Sequence, residues 1–142
     1  PVVAVEAWLP ESEPTAAIVV AHGMGEHARR YRRLAEALTE VGWAVYAPDQ
    51  RGHGRTAGSL HALGDQDAID EVRDGLPIYL ASGRDDPLAF GGAFVDMVAE
   101  RYRHAGADVT VVLYDGARHE VFNETDRDMV TADLLAWLDA LV

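Results

Sequence analysis

Apolar positions along this chain follow two rhythms. The run AAIVVA at 16–21 is apolar throughout and stays so until His22, as a strand buried on both faces requires. WAVYAPD (43–49), LPIYLASG (76–83) and DVTVVLYDG (108–116) also read as strands, and VVAVEAWLP (2–10) has strand composition up to Pro10. Between them the period lengthens to about 3.6 residues. Tyr31, Leu34, Ala35, Leu38 and Val41 share one face of a helix over 27–41, which Gly42 stops. Residues 65–75 form a weaker helical segment, with Ala68, Ile69 and Val72 turned inward. Val95, Val98, Ala99 and Tyr102 make the next apolar stripe, ended by Gly106. Val130, Leu134, Leu138 and Leu141 make the last, on a helix over 125–141.

Strands alternating with helices predict an α/β protein: a three-layer sandwich around a mostly parallel sheet of about five strands, joined by right-handed crossovers. The length of 142 residues suits one domain, 1–142. In such sheets ligands bind beyond the carboxyl ends of the strands. Those ends are His22–Gly25, Asp49–His53, Ser82–Asp86 and Asp115–His119, and every chemically capable cluster of the chain falls there.

Composition narrows the function classes. The net charge is −12, so phosphate backbones are repelled and nucleic acid is not an expected partner. With no cysteine, disulfides, thiol nucleophiles and Cys-ligated zinc are excluded. The histidines lack the H-E-x-x-H spacing of a helical metal site, so neither a metal nor a cofactor is expected. No apolar run approaches the ~20 residues of a membrane span, so a soluble, cytoplasmic protein is expected. The sequence starts at Pro1 without Met, which reads as a processed or excised chain and leaves a removed signal peptide open.

Four linked motifs then carry a resemblance. HGMGEH (22–27), YAPDQRGHGRT (46–56), SGRDDP (82–87) and YDGARHE (114–120) stand in that order. The chain resembles the α/β-hydrolases of the monoacylglycerol-lipase or serine-aminopeptidase type, closely over about 15–64 and again from 76 onward. The resemblance implies an oxyanion loop in which Met24 donates its backbone N–H while Gly23 and Gly25 let the chain turn. It also implies Asp86 as the acid and His119 as the base of a catalytic set. The competing readings are a simple Asx turn into Pro87 for Asp86, Asp85 as the acid instead, and a structural role for His53.

The family's nucleophile sits in G-x-S-x-G on a sharp strand-to-helix turn, and this sequence has no such motif. Its serines are Ser12, Ser59 and Ser82. Between the RGHG loop and the acid strand stands a stretch far shorter than the family's, as though nucleophile elbow and lid were removed. A minimal α/β-hydrolase core remains. Its parallel strands would take the order 2-1-3-4 of flavodoxin-like sheets, with 65–75 as the crossover helix. Ser82 would then approach the vacated nucleophile position. Small or activated carboxylic esters are the expected substrates, attacked by Ser82 or by water. A catalytically silent scaffold and an anion-binding module at the HGMGEH turn are the alternatives. The shortened sheet would expose apolar surface that favours a homodimer.

Overall fold

A computed structural model describes residues 3–23, 25–50, 52–56 and 74–141. Two compact units emerge, Pro1–Gly64 and Asp65–Val142. Met24, Ser59 and residues 65–73 of the expected crossover helix lie outside the described residues.

In the first unit, β1 (Val5–Trp8), β2 (Ala16–Val19), α1 (Arg32–Glu40) and β3 (Trp43–Pro48) follow in order. β3 is the central strand. It runs antiparallel to β1, with Ala7 opposite Tyr46, and parallel to β2, with Ile18 opposite Val45. Val45 and Ala47 are fully buried, as are Ala35 and Leu38 of α1, which packs on β3. A 3-10 turn at Ala28–Tyr31 leads into α1. The helix ends at Glu40 because Gly42 takes φ +90 and donates its N–H to the Thr39 carbonyl at 3.0 Å. Val41, expected on the buried stripe, is therefore past the helix and half exposed. The full burial expected for β2 is also corrected: Val19 is 68% exposed beside its register partner Tyr46. Among the described residues of this unit α1 is the only α-helix, and one α-helix covers one sheet face.

In the second unit, β4 (Pro77–Gly83), α2 (Ala93–His104), β5 (Asp108–Tyr114) and α3 (Arg127–Asp139) form a β-α-β-α array. β4 and β5 are parallel from Pro77 opposite Asp108 to Gly83 opposite Tyr114. The sheet is covered on both faces. Ile78, Leu80, Val109 and Val111 pack with Ala99 of α2. Ala81, Val112 and Tyr114 pack with Val130 of α3. The expected stripes on α2 and α3 are present except at Leu141, which lies beyond the helix and is exposed. Each half of the expected strand order stands within its own unit, β3 beside β2 and β4 beside β5; no ladder among the described residues joins the halves.

Candidate functional site

β4 and β5 are parallel and in register, so their carboxyl ends lie side by side and the loops that leave them meet. Arg84 donates its N–H to the Tyr114 carbonyl at 2.9 Å, Asp85 to Ala117 at 2.9 Å and Gly83 to Arg118 at 3.2 Å. These backbone bonds bring Asp86 to His119, whose Nδ1 lies 2.9 Å from Oδ2 of the carboxylate. The other oxygen, Oδ1, accepts the Leu88 N–H at 2.9 Å. Asp86 therefore makes the Asx-type turn and holds the histidine at once, because a carboxylate has two oxygens. Asp85 is exposed and does not take this place.

Asp86 is 5% exposed. Burial pushes its pKa up, but the hydrogen bonds from His119 and Leu88 and the nearby charges of His119 and Arg118 outweigh it, and the pKa is held below the usual carboxylate value. An ionised carboxylate only accepts hydrogen bonds. Nδ1 of His119 therefore carries the proton, and Nε2 is the basic nitrogen. Two-thirds of the His119 side chain is exposed. It stands in an open cleft of about 680 Å³ lined also by Asp86, Leu88, Arg118 and Glu124.

Ser82 sits elsewhere on the strand. Side chains alternate along β4, so Ser82 shares the α2 face with Ile78 and Leu80. Its hydroxyl reaches the carbonyl of Gly83 at 3.5 Å, and no hydrogen bond links it to His119.

The loop after β2, in the first unit, is tied at both sides of Met24. Gly23 donates its N–H to Glu26 Oε2 at 3.0 Å, and Gly25, at φ +82, donates its own to His53 Nε2 at 3.1 Å. Neither glycine amide is therefore available to an oxyanion. Glu26 also accepts the Tyr31 hydroxyl at 2.7 Å and pairs with Arg30 at 3.1 Å. Burial would raise the Glu26 pKa, but these partners bring it below its ordinary value. Tyr31, half-buried against that carboxylate, is pushed up to about 12. His22 accepts the Gln50 N–H on Nε2 at 2.9 Å, which leaves Nδ1 to donate to the Gly23 carbonyl at 2.8 Å. Buried Asp49 accepts the N–H groups of Ala28 at 2.8 Å and Arg55 at 2.9 Å. His53 is buried at 7% exposure beside this loop.

Sequence reasoning passed over Glu124. Its Oε2 accepts the Arg118 N–H at 2.7 Å and its Oε1 the Glu120 N–H at 2.8 Å. The available signal was an acid a few residues past His119, just ahead of an amphipathic helix, where carboxylates cap free amides.

Comparison with known proteins shows what the chain is similar to. The family described as serine aminopeptidase, S33, matches residues 12–76. A monoacylglycerol lipase of Mycolicibacterium smegmatis is 33% identical over 105 residues, 68% of this chain and 37% of that protein. The human monoglyceride lipase is 32% identical over 116 residues, 73% of this chain and 37% of that protein. The matched region thus spans little more than a third of the length of these relatives. Among solved structures, a lipase in its open form superposes with a TM-score of 0.81 at 20% identity, covering 97% of this chain and 94% of that one.

Proposed function

Because the chain belongs to the α/β-hydrolase family, in its monoacylglycerol-lipase and serine-aminopeptidase branch, we propose that it hydrolyses small or activated carboxylic esters with His119 as general base. The observation that carries this reading is the 2.9 Å bond from His119 Nδ1 to a buried Asp86. Asp86 orients the imidazole and stabilises its protonated form.

Water is the attacking group in this reading, since the Ser82 hydroxyl is turned to the Gly83 carbonyl and the sequence has no G-x-S-x-G. Nε2 removes a proton from water as its oxygen adds to the ester carbonyl. The tetrahedral intermediate then expels the alcohol, which takes the proton back from the imidazolium, and the carboxylic acid remains. General-base assistance by one side chain contributes about 10²–10⁴-fold, so turnover is slow and favours good leaving groups.

The experiment is hydrolysis of p-nitrophenyl acetate by the wild type, His119→Ala and Asp86→Asn, with a fluorophosphonate probe and peptide mapping in parallel. The expected result is a loss of at least tenfold in both variants and no adduct. An adduct on Ser82 that disappears in His119→Ala moves the attack from water to serine. Equal rates in wild type and His119→Ala overturn the proposal in favour of a silent scaffold, the reading that the missing serine motif favours.

A further inference from the structure

The loop from Ala117 to Glu124 must place one exposed imidazole against one buried carboxylate. Most of the His119 side chain is in solvent, so the path of its backbone matters for its aim. What holds the loop is Glu124. The two oxygens of its carboxylate accept the backbone amides on either side of the histidine, Arg118 at 2.7 Å and Glu120 at 2.8 Å. Both bonds are short, as expected when the acceptor is charged. The Arg118 carbonyl is tied in turn to the Gly83 N–H at 3.2 Å, so the histidine loop is pinned from the acid loop on one side and from Glu124 on the other. Glu124 itself is anchored ahead of α3, its carbonyl accepting the Arg127 N–H at 3.3 Å.

We propose that Glu124 is a positioning residue: by bridging the amides of Arg118 and Glu120 it fixes the backbone of His119 and thereby its hydrogen bond to Asp86. It does not touch the reacting atoms. The bridge needs two acceptors on one flat group at this reach. Glutamine has one acceptor and would aim an NH₂ at a backbone N–H, and aspartate is one methylene short. The inference deepens the ester-hydrolysis reading, but its test does not depend on turnover.

The test is NMR on the full chain, labelled with ¹⁵N on backbone and histidine. In the wild type, the amide protons of Arg118 and Glu120 should shift with a single shared carboxylate titration, which vanishes in Glu124→Gln. In Glu124→Gln and Glu124→Ala, the His119 Nδ1 proton should exchange with water at least tenfold faster, and the Asp86 carboxyl titration should move up, as it also should when His119→Ala removes the partner outright. Trp137→Phe on α3, which loses its bond to the Thr110 hydroxyl of β5, serves as the stability control and should change neither signal. Slow Nδ1 exchange and an unmoved Asp86 titration in folded Glu124→Gln overturn the inference. If the variants do not fold, the wild-type amides decide: absence of a shared titration at 118 and 120 overturns it. Ester hydrolysis measured on the same samples separates the two readings. A wild type without turnover whose His119 signal still depends on Glu124 sinks the activity and keeps the positioning role.

Discussion

Gly83 and Ala117 meet backbone to backbone. A Cβ placed on Gly83 would lie 2.1 Å from the Ala117 carbonyl oxygen and 2.2 Å from that of Arg118. No side chain fits there, because real Cβ contacts do not come so close and the obstacle is main chain that carries the hydrogen bonds between the two loops.

Gly83→Ala is therefore expected to push the 117–119 segment away from β4. Overpacking of this kind costs about 1–3 kcal/mol, or roughly 3–10 °C in Tm for a chain of this size. Thermal unfolding followed by circular dichroism checks the cost. The same variant should lose the slowly exchanging His119 proton; an unchanged Tm and an unchanged proton would show that the close approach is not required.

Acid should weaken the fold through Asp86. Its pKa is below the ordinary carboxylate value near 3.9 when folded, so near pH 4 the unfolded chain binds more protons than the folded one. The contribution is full above the unfolded value and is lost as pH falls through the folded one. Denaturant titrations at pH 6 and pH 3.5 should show a larger drop for the wild type than for Asp86→Asn. An equal drop in both would contradict the depressed native value.

Asp49 is the corresponding test for the first unit. Its two oxygens accept the amides of Ala28 and Arg55, and the residue is 2% exposed. Asn at this position leaves one of the two amides facing a donor, at a cost of about 1–3 kcal/mol. Urea unfolding of Asp49→Asn should show that loss; a change below a few tenths would mean that water replaces the missing acceptor.

Alkali acts through the tyrosines. Tyr31 is pushed up to about 12 by burial and by its bond to Glu26, and Tyr114 is driven higher still by burial and its contacts with Tyr79 and Asp133. Folded-state values raised above the ordinary value near 10 contribute stability below pH 10 that is lost as pH rises. Tyr79 is raised as well, by burial, so absorbance at 295 nm should show three of the five tyrosines ionising late, Tyr31 near pH 12. Tyr31→Phe should remove the step near pH 12; an unchanged amplitude there would assign it elsewhere.

Much of this protein was legible without coordinates. The apolar runs and the 3.6-residue stripes announced the strands and helices because those patterns are local, set by which side chains a single element can bury. The motifs announced Asp86 and His119 as partners. Other features depended on distance along the chain. Whether Asp86 or Asp85 meets the histidine follows from the register of β4 on β5, which joins residues 33 positions apart. The exposure of Val19 follows from how many helices cover a face, and a strand's own composition is silent on that. That Ser82 shares the α2 face and turns its hydroxyl to the Gly83 carbonyl follows from the alternation of β4 beneath α2, a matter of which face the helix chose. Glu124 reads as one acid among 24 acidic residues; only the folded turn brings two backbone amides to its two oxygens, because that convergence belongs to the path of the loop and not to any residue in it.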